Sequence, residues 1–139
     1  MIGVISSEFL IRNTLSLSSS IISNINYMRT YKLHDDELSQ IFIERDILSD
    51  IGIIKSYIDE HSVEQSESPT FRASVQNLNE TLCYLEEEIS KLTMKIKDHK
   101  HKWFSYYRSY DIAIEKKKIF ILIDQMNHRF NMLLKVRRS

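Results

Sequence analysis

Glycine, proline and cysteine are scarce in this 139-residue chain, which has two glycines, one proline and one cysteine. Strand-rich folds need glycine and proline in their many turns, so the scarcity predicts a few long helices. Phosphate-binding loops need several glycines close together, whereas Gly3 and Gly52 lie far apart, which excludes nucleotide hydrolases and Rossmann enzymes. The single Cys83 permits no internal disulfide and no cysteine-rich zinc site, and it fits a reducing compartment.

Signals for secretion and for membrane insertion are also missing. The N-terminus has no basic segment followed by a clean apolar core, and there is no apolar run of about 18 residues or more. We therefore expect a cytoplasmic protein that folds as one domain over residues 1–139.

Charge is balanced overall but not along the chain. Residues 1–70 contain 5 Lys and Arg against 11 Asp and Glu, a net charge of −6, and residues 71–139 contain 14 against 8, a net charge of +6. The halves either neutralise one another within the fold or leave a basic face for an acidic partner.

The spacing of apolar residues predicts an all-α fold, a single four-helix bundle, with a five-helix bundle as the alternative. The expected helices cover approximately residues 4–31, 35–60, 69–98 and 111–136.

The first helix has an unusual polar face. Ile11, Leu15, Ile22, Ile25 and Met28 are spaced for one helix face, and no charged residue occurs from Asn13 to Met28, where serines fill the gaps. Two interpretations stay open: a central bundle helix with small residues at close contacts, or a helix that leaves the bundle and enters a lipid interface.

The third helix has the most regular pattern. Its apolar residues follow alternating steps of three and four over about 26 residues, which is a heptad seam. This seam is either the core of the bundle or an intermolecular coiled coil, and Glu86, Glu87 and Glu88 lie mostly off it as solvated charge. Its central positions are Leu78, Leu82, Leu85, Ile89 and Leu92.

A stretch rich in lysine and aromatic residues follows, around Trp103 and Tyr107. The aromatic residues either anchor a turn between helices, with the lysines in solvent, or lie at a lipid interface where the lysines contact anionic headgroups. Nucleic-acid binding is a third interpretation, which the balanced net charge disfavours, so no nucleic-acid partner is expected. The candidate lipid-binding residues are Lys95, Lys97, Lys100, Lys102, Lys116, Lys117 and Lys118.

No catalytic or metal site is predicted. His99 and His101 lie well around a helix from each other, with no carboxylate pair placed to complete a site. Cys83 and His128 lie beside the apolar stripes, and no set of nucleophile, base and oxyanion donors can be assembled. We expect a non-enzymatic protein without a cofactor.

Three stretches of the chain resemble HeLo-like helical bundles, which include the N-terminal domains of fungal NOD-like (STAND) receptors and of mixed-lineage kinase domain-like proteins. The stretch HDDELSQIFIERDILSDIGIIKSYI resembles the second helix of that family, and TFRASVQNLNETLCYLEEEI resembles its helix with a heptad-like leucine series. KWFSYYRSYDIAIEKKKIFILIDQMNHRFNMLL is similar to its tryptophan-led turn and last helix.

The resemblance implies an effector module of regulated cell death or innate immunity. Such a module self-associates, is recruited from the cytoplasm to anionic membrane through basic residues, and permeabilises it with the first helix, here Ile5 to Met28. The alternative is an adaptor or oligomerisation bundle that pairs with itself or with other helical proteins and has no membrane role.

Overall fold

Four α-helices contain all but one of the residues that the computed structural model describes, which are 7–30, 46–61, 69–101 and 113–138. The predicted all-α fold is confirmed, and the four helices pack together. They are α1 (Ser7–Thr30), α2 (Ile47–His61), α3 (Pro69–His101) and α4 (Ala113–Arg138).

Helix α2 begins later than the sequence predicted. Asp46 has a φ of 45°, a left-handed conformation that an α-helix cannot include but that aspartate tolerates better than most residues. Its carbonyl oxygen accepts a hydrogen bond from the backbone N–H of Asp50 at 3.2 Å, so Asp46 caps the helix. The prediction of one unbroken helix over residues 35–60 is therefore wrong at Asp46. Residues 35–45 lie outside the described residues.

Contacts between side chains define the directions of the helices. Asn13 contacts Asn79 and Ser20 contacts Glu86, so α1 and α3 run parallel. Lys95 pairs with Glu115 near one end of the α3–α4 hairpin, and Thr81 contacts Arg129 further along, so these helices are antiparallel.

Helix α2 packs chiefly on α1 and touches α4 at two places. Asp50 accepts a hydrogen bond from Asn127 at 3.1 Å, and the Tyr57 and Phe130 rings meet edge-on with centroids 5.5 Å apart. Because both contacts advance along the two chains together, α2 runs parallel to α4. The described helices therefore alternate in direction along the chain, and the parallel helices α1 and α3 are packed neighbours.

Each helix contributes one apolar stripe to a common core. Helix α2 buries an isoleucine stripe, Ile47, Ile51, Ile54 and Ile58. Fully burying a side chain of this size stabilises the fold by about 1.5–3 kcal/mol. The rest of the core comprises Leu10, Ile11, Ile21, Ile25, Met28, Phe71, Val75, Leu78, Leu82, Leu85, Ile89, Leu92, Ile96, Ile119, Ile123, Met126 and Leu133.

The buried face of α1 includes Ile11, Ile25 and Met28 as predicted, but it differs from the prediction at other positions. Leu15 and Ile22 are only partly buried, and the fully buried line runs instead through Thr14 and Ser18. The hydroxyl of Thr14 donates to the carbonyl of Leu10 at 2.7 Å, and that of Ser18 donates to the carbonyl of Thr14 at 2.8 Å. These bonds satisfy polar groups that would be costly to bury unpaired, so small polar residues can occupy the core.

Candidate interaction surface

The predicted seam of α3 lies in the core of this chain. Leu78, Leu82, Leu85, Ile89 and Leu92 are all 0% exposed and pack among the other buried residues of the bundle. A side chain enclosed in this way presents no surface to a second molecule while the bundle is folded. The seam is therefore part of the core of one chain.

The predicted lipid-binding lysines are partly engaged within the bundle. Lys95 of α3 forms an ion pair with Glu115 of α4, and the ammonium of Lys118 lies 3.9 Å from an oxygen of Glu88. Glu88 was predicted to be solvated charge, because the register between two antiparallel helices is not visible in their sequences. Two of the seven candidate lysines thus hold α3 and α4 together.

Glu115 is a largely buried carboxylate at one end of the α3–α4 hairpin. Only 13% of its side chain is exposed, and this burial by itself would raise the pKa of the carboxyl. The hydrogen bond from Lys95, a backbone hydrogen bond, and the charges of Lys95 and Lys118 together outweigh burial and hold the pKa below its ordinary value. Glu115 is therefore ionised at neutral pH.

The other candidate lysines have different surroundings. The ammonium of Lys97 lies 4.8 Å from the ring centroid of Tyr27, which is within cation–π range and links α3 to α1. Lys116 lies 5.8 Å from the ring centroid of Phe120, and Lys117 is exposed on α4. Lys100 belongs to the last turn of α3, and Lys102 lies outside the described residues.

Polar contacts attach α1, the predicted insertion helix, to α3. Asn79 accepts a hydrogen bond from Asn13 at 3.2 Å and donates one to the buried hydroxyl of Thr14 at 3.0 Å. Such contacts fix the register of α1, because sliding by one turn would leave these groups without partners.

A second polar contact lies further along the same interface. The hydroxyls of Ser20 and Ser90 both donate to Oε1 of Glu86, at 3.1 and 2.7 Å. Serine, which is small, lets α1 approach α3 closely here, and Glu86 is not solvated charge but part of the contact between the helices.

Helix α4 is apolar on two opposite faces. One face is its buried stripe, Ile119, Ile123, Met126 and Leu133. The second is formed by Ile114, Ile121 and Met132, which lie within about 20° of one another around a helix and roughly 140° from the centre of the buried stripe. These three side chains are 64%, 48% and 45% exposed.

This second face was not predicted from the sequence, because one apolar stripe is enough to place a helix in a bundle. The signal was present, since Ile114, Ile121 and Met132 are spaced by 7 and 11 residues, which places them on one helix face. Three polar residues share this face, and all six positions are exposed; we call them the α4 stripe: Ile114, Lys118, Ile121, Gln125, His128 and Met132.

An exposed stripe of α3 borders the α4 stripe. Glu80 of this stripe lies 3.9 Å from Arg129 of α4, and Lys118 of the α4 stripe lies 3.9 Å from Glu88 of α3. The two stripes are therefore adjacent ridges, and we call them together the outer surface. The α3 stripe comprises Asn77, Glu80, Tyr84, Glu87, Lys91, Met94 and Asp98.

The outer surface mixes apolar and charged groups. Tyr84 and Met94 are 60% and 57% exposed. Lys91 lies 3.6 Å from Glu87 and 3.4 Å from Glu88, and the charge of Glu88 is the largest influence that raises the pKa of Lys91. Large apolar side chains surrounded by charges are typical of a surface that binds another protein.

A groove of about 560 Å³ runs along the outward side of α2. The described part of its lining comes from this one helix and includes Gly52, Ile53 and Tyr57. A small-molecule site usually encloses its ligand and directs several polar groups towards it, whereas this groove is widely open to solvent. It does not suggest a catalytic or cofactor site.

Among the described residues, no three His, Cys, Asp or Glu side chains lie close enough to hold a metal ion. None of the described helices is long and apolar enough to cross a membrane.

Comparison of the chain with protein-family models, with curated proteins and with solved structures gave no match. The resemblance to HeLo-like bundles therefore stays a prediction from the sequence.

Proposed function

We propose that this chain is a non-enzymatic interaction module that binds a protein partner through its outer surface. The observation that carries the proposal is the second apolar face of α4. A helix in a bundle needs one apolar face, and α4 already buries one in the core. The three large side chains on its opposite face are not among the core residues, and they are the kind of feature that a partner covers.

The proposal is supported by the charges that surround these side chains. Glu80, Glu87 and Asp98 lie on the neighbouring α3 stripe, beside Lys91 of the same stripe and Lys118 of α4. A surface with charges of both signs around apolar centres suits a polar protein surface. The acidic residues would be repelled by an anionic membrane.

The membrane effector implied by the resemblance is the second candidate. Two observations favour it: α4 carries seven basic and two acidic residues, a net charge of +5, and α1 has no charge from Asn13 to Met28. Each basic residue near anionic lipid contributes about 1 kcal/mol to binding, so the α4 stripe with its lysines could lie on a membrane surface. A role in cell death or innate immunity belongs to this candidate.

Site-specific photo-crosslinking tests the leading proposal. A photo-reactive amino acid replaces Ile121 at the centre of the α4 stripe, and the control carries it at Ser19, an exposed position on α1. In cells that express the full chain, we expect discrete protein adducts from position 121 and none from position 19. Equal labelling from both positions, or no protein adduct from position 121, contradicts the proposal.

Flotation with vesicles separates the two candidates. The purified chain is mixed with vesicles that contain anionic lipid and with neutral vesicles. The leading proposal expects the chain to stay unbound in both mixtures. Binding to anionic vesicles only, lost when Lys117 and Lys118 are replaced by glutamate, would instead establish the membrane candidate.

A further inference from the structure

The two stripes of the outer surface carry opposite charges. The α3 stripe has Glu80, Glu87 and Asp98 against Lys91, a net charge of −2. The α4 stripe has Lys118, a net charge of +1, and Lys117 is exposed beside it. One ridge of the surface is thus acidic and the adjacent ridge is basic.

We propose that the partner of the outer surface is a second copy of this chain, arranged about a two-fold axis with the α3 stripe of each copy on the α4 stripe of the other. The proposal rests on the proposed function, because it names the partner of the same surface. A two-fold arrangement uses one patch twice, so that patch must be complementary to itself. Adjacent ridges of opposite charge meet this requirement, since rotation places the acidic ridge opposite the basic one.

The register within one chain indicates which residues would meet between copies. When the two-fold axis is parallel to the helices, residues at one height in the first copy meet those at the same height in the second. Glu88 contacts Lys118 within the chain, so Glu87 lies at the height of Lys118. By the same reasoning, the Lys95–Glu115 pair places Met94 at the height of Ile114. Met94 would then face Ile114 of the other copy, and Glu87 would face its Lys118.

The size of the surface predicts a weak dimer. From Ile114 to Met132 the α4 stripe is about 27 Å long at 1.5 Å per residue. Two neighbouring helices form a face about 20 Å wide, so each copy would bury roughly 500 Å². Stable interfaces bury about 800 Å² per partner, and smaller ones belong to transient complexes. We therefore expect dimers only at high protein concentration, or where attached segments bring copies together.

Charge reversal with complementation tests this pairing. One variant carries Glu80→Lys with Glu87→Lys, and the other carries Lys117→Glu with Lys118→Glu. Each variant presents two ridges of similar charge, so each should dimerise about tenfold or more weakly than the original chain. Mixing the two variants places opposite charges together in both halves of the interface, so the mixture should form a heterodimer about as tight as the original dimer.

Sedimentation equilibrium provides the measurement, and circular dichroism checks that every variant keeps its helical content. Controls carry the same change in charge on other helices: Asp59→Lys with Glu60→Lys on α2, and Arg12→Glu with Arg29→Glu on α1, all at exposed positions. These controls should dimerise within about twofold of the original chain. If a double variant loses helical content, the single changes Glu87→Lys and Lys117→Glu replace it.

Each failure has a distinct meaning. A chain that is monomeric at millimolar concentration, or a mixture of variants that does not associate, overturns self-pairing. If position 121 then still forms adducts with a different protein in cells, the proposed function stands and only the identity of the partner is wrong. If position 121 forms no protein adduct at all, the proposed function fails as well.

Discussion

Lys95 of α3 forms an ion pair with Glu115 of α4, and this contact ties together one end of the hairpin that carries the outer surface. Burial of Glu115 opposes its ionisation, but Lys95 and the other hydrogen bonds and charges around the carboxylate outweigh that effect. The pair thus fixes the height of α4 against α3, on which the alignment of the two stripes depends.

The pKa of Glu115 predicts how the stability of the bundle depends on pH. Because the folded-state pKa is below the ordinary value, Glu115 stabilises the fold at pH values above that ordinary value, about 4.3. This contribution is lost as the pH falls through the lower folded-state pKa. We expect Glu115→Gln to lower the free energy of unfolding at pH 7 by up to about 1 kcal/mol. The difference from the original chain should shrink in acid.

Urea denaturation at pH 7 and at pH 3 measures this difference. Lys117→Gln, a neutralising change at an exposed position on the same helix, serves as the control and should have a smaller effect at pH 7. A penalty from Glu115→Gln that is the same at both pH values would contradict the assignment.

The polar contact between α1 and α3 predicts a second effect on stability. Asn79→Ala removes an acceptor for Asn13 and a donor to the buried Thr14. The loss of a buried partner typically costs about 1–3 kcal/mol. Chemical denaturation should show this decrease, whereas Gln76→Ala, at an exposed position on α3, should change stability by less than about 0.5 kcal/mol. Equal effects from the two changes would mean that the contact contributes nothing specific.

Of two adjacent residues of α3, one lies in the core and the other lies on the outer surface. Leu85 is 0% exposed and Tyr84 is 60% exposed. Leu85→Ala should lower the free energy of unfolding by about 2–5 kcal/mol, because it leaves a cavity in the core. Tyr84→Ala should change it by less than about 0.5 kcal/mol. Thermal unfolding at a low concentration, where the chain is monomeric, checks both, and a large loss from Tyr84→Ala would place that ring in the fold.

Much of the core could be predicted from the sequence because it depends on spacing within one helix. The seam of α3 and the isoleucine stripe of α2 follow steps of three and four, and burial follows directly from that pattern. The start of α2 could not be predicted in the same way. Asp46 adopts a left-handed backbone conformation, and the spacing of apolar residues gives no information about such a conformation.

The outer surface was harder to predict because it depends on how helices lie against each other. Lys95 and Lys118 were predicted to bind lipid, whereas the register of the two helices brings Glu115 and Glu88 next to them. The burial of Thr14 in α1 was not predicted either, since its hydroxyl is satisfied in the core by the carbonyl of Leu10 and by Asn79. Asn79 is distant in sequence, and spacing within one helix does not reveal such a partner.

The exposed apolar face of α4 predicts a variant that folds but does not bind. Replacing Ile114, Ile121 and Met132 together by serine should leave the free energy of unfolding within about 1 kcal/mol of the original value, since each side chain is about half exposed or more. The substituted residues keep the helix but remove the apolar area that a partner would cover. Urea denaturation checks stability, and a large loss would show that this face belongs to the core.

The most direct test of the central claim combines that triple variant with a photo-reactive amino acid at position 84 on the neighbouring stripe. If one partner covers both stripes, protein adducts formed from position 84 in the original chain should disappear in the triple serine variant, although α3 itself is unchanged. Adducts that persist at the same yield in a folded triple variant would contradict the claim that α3 and α4 form a single binding surface.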